Sequence, residues 1–63
     1  MTWVRVKLAL EALEPGDVLE VHLTGDEPRR NLPRNARDDG HQVEPLTEHL
    51  DGSATLVITV GTP

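Results

Sequence analysis

The chain has no cysteine, no phenylalanine and no tyrosine, and its only aromatic residue is Trp3. Without cysteine there is no disulfide staple, no thiolate zinc site and no cysteine nucleophile within these residues. With one aromatic, the core must be built from Val, Leu, Ile and Ala. No apolar run approaches the roughly 20 residues a membrane-spanning helix needs. No signal-peptide pattern is present either, because the apolar stretch after Arg5 is amphipathic. A soluble, cytoplasmic protein is the expectation. The three histidines, His22, His41 and His49, lack the spacing of metal ligands, so no metal site and no cofactor are expected.

What remains is a chain of 63 residues with a net charge of −5. That is one domain at most, and a chain so short buries only about 60% of the surface its unfolded state exposes. The negative charge disfavours nonspecific nucleic-acid binding. The charges are unevenly placed, however. Arg29, Arg30, Arg34 and Arg37 fall in residues 29–37 with no acid among them, and Asp38, Asp39, Glu44, Glu48 and Asp51 follow. The plain reading of the arginines is a solvated helix face, with Arg34 and Asp38 paired one turn apart. The functional reading is a docking face for an acidic partner or an RNA backbone. The lack of a stacking platform weakens the RNA version.

Apolar residues Trp3, Val6, Leu10 and Leu13 step by three and four, which predicts a helix over 3–13. Val4 and Leu8 widen its apolar stripe, so cover on more than one side is expected. Thr2 is the N-cap candidate, and Pro15-Gly16 ends the helix. DVLEVHLT (17–24) alternates, with Leu19, Val21 and Leu23 on one face, and reads as a half-buried strand. Residues 25–28 read as a loop and 29–39 as a second, weak helix carrying Leu32 and Ala36. Pro33 fits near its start or kinks it, and Gly40 suits the position after its end. Residues 41–50 read as an irregular strand, confined to a sheet edge by Pro45. Asp51-Gly52 signals a hairpin turn, and ATLVITV (54–60) is the strongest strand pattern. The order is helix, strand, helix, strand, strand. A helix feeding a strand is half of a strand–helix–strand unit, so one edge of the first strand is expected to be unpaired. Low stability, or a homodimer through that exposed sheet edge, follows.

VRVKLALEALEPGDVLEV, GDEPRRNLPR, DGHQV and the closing hairpin strand together resemble the TusA/SirA-like sulfur carrier family over nearly the whole chain. The Asn31-Leu32-Pro33 segment followed by Gly40-His41 is the more specific part. The resemblance implies an α/β two-layer sandwich, with two helices on one face of a small mixed sheet. The family order is strand–helix–strand–helix–strand–strand. Residues 1–63 would be a single TusA-like domain lacking the first strand and the Cys-Pro pair at the tip of the first helix. One family variant reads Cys-Pro-Met-Thr, and this chain begins Met1-Thr2. The expectation is an internal methionine taken as the start, with the cysteine just before it.

A cysteine at a helix N-terminus feels the positive end of the helix dipole, which lowers its pKa and favours thiolate or persulfide. The resemblance therefore implies a sulfurtransferase or persulfide relay with sulfur donor and acceptor proteins as partners. No catalytic residue lies within 1–63. In open α/β sheets ligands sit beyond the carboxyl ends of parallel strands. Met1, Thr2, Arg30 and Asn31 are accordingly the candidate pocket residues. Arg29, Arg30, Arg34 and Arg37 are the candidate partner-binding residues. The alternatives are a cysteine-free interaction module docking through the 29–37 face, and a small RNA-associated domain. The second rests on likeness of fold to an RNA-binding module of translation initiation.

Overall fold

A computed structural model describes residues 3–61. Its elements are α1 (Trp3–Glu11), β1 (Val18–Leu23), α2 (Asp26–Asp38), β2 (Gln42–Val43), β3 (Thr47–Glu48) and β4 (Ala54–Thr59). The expected order of elements holds. The N-cap assigned to Thr2 lies outside the described residues.

α1 buries Val6 and Leu10, while Trp3 and Leu13 pack half-buried against the core. Its last turn tightens: the Leu13 N–H donates to Leu10 C=O at 3.1 Å. The chain then reverses through 14–17, where the Glu14 N–H donates to Asp17 Oδ2 at 2.9 Å. Val4 and Leu8 are exposed, at 62% and 61%. The cover that their place on the helix calls for is therefore not supplied by residues 3–61.

β1 and β4 pair antiparallel, and their inner-face partners are Leu19 with Ile58, Val21 with Leu56 and Leu23 with Ala54. Leu32 and Ala36 of α2 join Val6 and Leu10 of α1 over that same face. Both helices thus cover one side of the sheet, giving the two-layer sandwich. Each buried Leu, Ile or Val contributes about 1.5–3 kcal/mol by leaving water.

β4 is the hub. The sheet order is β1-β4-β2, and β3 also pairs with β4. Every pairing among the described residues is antiparallel. A parallel pair, which a mixed sheet needs, is not formed by residues 3–61. β2 and β3 are one edge strand interrupted at Pro45. Val43 opposes Ile58 and Thr47 opposes Thr55, so residues 44–46 face only Leu56 and Val57. This is a bulge, placed where proline has no N–H to give the ladder.

α2 begins at Asp26, earlier than the sequence pattern suggests. Gly25 stands just ahead of it with φ 92°. Asp26 and Glu27 occupy the first turn, where negative charge meets the positive helix end. Pro28 sits where its missing N–H would have no helical partner anyway. Pro33 lies inside the helix and is buried. The helix closes with Gly40 at φ 92°, the Gly40 N–H donating to Arg37 C=O and the His41 N–H to Ala36 C=O, both at 3.0 Å. This pair of bonds is a Schellman cap. Downstream, the backbone of Gly61 passes so near Gly40 that a Cβ on Gly61 would lie 2.0 Å from the Gly40 carbonyl oxygen.

Candidate functional site

The short connections around β1 force each helix to run back against it, so α1 and α2 run in the same direction. Both start at the sheet end beyond Leu23. The first turn of α1 carries no acid, whereas that of α2 carries Asp26 and Glu27. This end of the helix layer is where the candidate pocket residues belong. Met1 and Thr2 lie outside the described residues. Arg30 is exposed on the outer face of α2, and Asn31 is half-buried. The Asn31 Oδ1 accepts from an Arg34 Nη at 3.3 Å. Arg30 and Asn31 lie in the second turn of α2, one turn in from the end where that helix begins.

The four arginines do not form one group. Arg29 is only 22% exposed in its side chain and donates to Glu48 Oε1 at 2.7 Å. A second Nη of Arg29 donates to the Gly52 carbonyl. Its Nε is buried without a partner. Arg29 therefore clamps α2 to the β3–β4 hairpin. Arg30, Arg34 and Arg37 remain exposed, and among the described residues no ion pair ties any of them to an acid. The Arg34–Asp38 pair expected at one-turn spacing is not formed; Arg34 turns to Asn31 instead.

A groove of about 350 Å³ runs between α1 and the free edge of β1, lined by Val6, Ala9, Leu19 and Val21, with Arg5 and His22 at its margins. Among the described residues β1 pairs only with β4, so its other edge carries backbone donors and acceptors that these residues leave open. The unpaired edge is legible in the strand pattern. The groove itself is not, since it depends on where α1 comes to rest. A smaller hollow of about 260 Å³ lies near the other end of α1, among Leu10, Leu13, Pro15, Val60, Asp39 and His41. There the Gly61 N–H donates to His41 Nδ1 at 3.0 Å, and His41 Nε2 stands 3.7 Å from Asp39 Oδ2. The Gly61 bond needs an unprotonated Nδ1, so the ring proton sits on Nε2, toward Asp39. His41 is thus a fastener at the helix exit.

His49 Nε2 and Thr55 Oγ1 are 2.6 Å apart under the hairpin. The Ser53 hydroxyl and N–H both donate to Asp51 Oδ1, at 2.6 and 2.9 Å. Those bonds hold the exposed Asp51 carboxyl below its ordinary value of 3.8, the hydroxyl contributing most. Among the described residues no group of three His, Asp or Glu side chains converges as a metal site. No helix of the described residues is long and apolar enough to cross a membrane. The surface of the described residues carries a basic stripe on α2, an exposed apolar pair on α1 and an unpaired edge of β1.

No curated protein and no solved structure matches the chain significantly. The family model described as Sulfurtransferase TusA matches residues 1–60. That match spans nearly all of the 63 residues, and the chain belongs to the TusA sulfurtransferase family.

Proposed function

We propose that residues 1–63 are the helix–sheet body of a TusA-like sulfur carrier in the cytoplasm. Its persulfide-bearing cysteine would stand in a Cys-Pro pair just ahead of Met1. The observation that carries this reading is the family match over residues 1–60 in a chain with no cysteine of its own. Such a thiol would stand four residues before Trp3, ahead of a helix whose first turn holds no acid. The unopposed helix dipole would favour its thiolate and its persulfide anion. Arg30 and Asn31, in the second turn of α2, would supply positive charge and an amide toward the same end. The sulfur itself is cargo, handed from a donor protein's persulfide to the carrier thiolate and on to an acceptor protein. Each transfer is a thiolate attack on a sulfane sulfur, with the donor thiolate leaving.

The 63-residue chain by itself would accept no sulfur. The test is the intact mass and N-terminal sequence of the endogenous protein under non-reducing conditions. A longer chain with Cys-Pro before Met1, and a mass increment of one sulfur that reductant removes, is the expected result. A protein that begins at Met1 and gains no mass would overturn it.

A second reading, a cysteine-free interaction module, is favoured by one observation: Arg30, Arg34 and Arg37 stand exposed with no acidic partner among the described residues. Under it the short chain is the working protein, and its partner docks on α2.

A further inference from the structure

We propose that the outer surface of the helix layer is a docking face for an acidic, amphipathic polypeptide segment, with carboxylates over Arg30, Arg34 and Arg37 and an apolar ridge over Val4 and Leu8. The proposal does not depend on sulfur transfer and holds for the 63-residue chain.

At about 100° per residue, Arg30, Arg34 and Arg37 fall within about 60° of one another around α2. They lie on the side away from buried Leu32 and Ala36. At ~1.5 Å rise per residue the stripe is ~10 Å long. Asp26 and Glu27 close one end of it and Asp38 and Asp39 the other. A complementary surface therefore needs its carboxylates over that span and none beyond it. Unpaired cations on a chain of net charge −5 are the reverse of what solubility alone would place there. With Arg29 taken up by the hairpin, the stripe consists of these three.

Charge at an interface rim steers encounter more than it holds the complex. Holding needs apolar area, and the same surface supplies it. Val4 and Leu8 lie one turn apart on the outer side of α1, exposed at 62% and 61%. α1 and α2 are parallel neighbours, so the apolar pair and the basic stripe share one surface and start at the same end. A polyphosphate partner is disfavoured. The net charge repels it at long range, and Trp3, half-buried against the core, leaves no exposed aromatic platform for bases.

The experiment uses the 63-residue protein and two labelled probes, read by fluorescence anisotropy and stopped-flow. One probe is a helical peptide with glutamates on one face and leucines on the other. The other is a single-stranded oligoribonucleotide of equal charge. The peptide is expected to bind and to weaken as salt rises. R30Q/R34Q/R37Q should weaken binding about tenfold at low salt, mainly by slowing association. V4S/L8S should speed dissociation instead. R5Q/K7Q, which removes cations outside the stripe, should leave binding within about twofold of the parent. As a check independent of lost folding, R30E/R34E/R37E should lose the acidic peptide and gain a lysine-bearing counterpart. Peptide affinity unchanged by the stripe variants, or tighter binding of the oligoribonucleotide, would overturn the proposal.

Discussion

Arg29 and Arg30 are neighbours with opposite fates, and the difference lies in what each reaches. Arg30 points to solvent, whereas Arg29 reaches across to Glu48 and the Gly52 carbonyl. Arg29→Met should cost about 1–2 kcal/mol in urea unfolding, since charged hydrogen bonds are lost but Glu48 stays hydrated. Arg29→Lys should recover little, because a single ammonium cannot reproduce the fork. A loss no larger than that of Arg30→Met would mean the clamp is not formed. Asp51 gives a second residue-scale test. Its carboxyl lies below 3.8 because Ser53 donates to its charged form. The associated stability is full above that value and fades as pH falls through the depressed one. Ser53→Ala should move the Asp51 titration upward toward 3.8, read by carboxyl NMR. An unmoved titration would assign the shift to some other group. Neither role is legible in sequence. Arg29 looks like the other arginines in its window until the hairpin is folded beside it.

At the scale of elements, alternation made β1 and β4 legible, and Pro45 correctly marked an edge. The start of α2 was not legible for a definite reason. Gly25-Asp26-Glu27-Pro28 is equally good turn chemistry and helix-start chemistry, and only the neighbouring core decides between them. Pro33 is the remaining conflict, a proline inside the helix and buried with Leu32 and Ala36. Proline in a helix interior costs about 3 kcal/mol relative to alanine. Some of that is offset by its buried ring and by the stiffer unfolded chain. Pro33→Ala should therefore stabilise the protein by about 1 kcal/mol in chemical denaturation. A loss of stability would show that the ring's packing outweighs the missing backbone bond. Within the candidate site, element order showed that both helices start at the same sheet end, but not that Arg30 and Asn31 lie in the second turn of α2 rather than in a loop. The arginine stripe needed the structure to separate three residues from four.

On the scale of the whole molecule, the core is a single aliphatic layer between two helices and a sheet whose β1 edge is left unpaired by the described residues. A thermal midpoint below about 45 °C, the lower end for ordinary mesophile domains, is expected for the 63-residue chain. Failing that, the midpoint should rise with protein concentration as free edges pair. A sharp, concentration-independent transition well above that temperature would contradict both. The hub position of β4 has a consequence for how the protein is made. Among the described residues, β1, β2 and β3 each find their partner only in residues 54–59. During synthesis, none of these three ladders can close until that segment has left the ribosome. Until then α1, β1 and α2 have one another but not the strand that carries Leu56 and Ile58 of the core. Closure of the described sheet therefore waits on the last strand made.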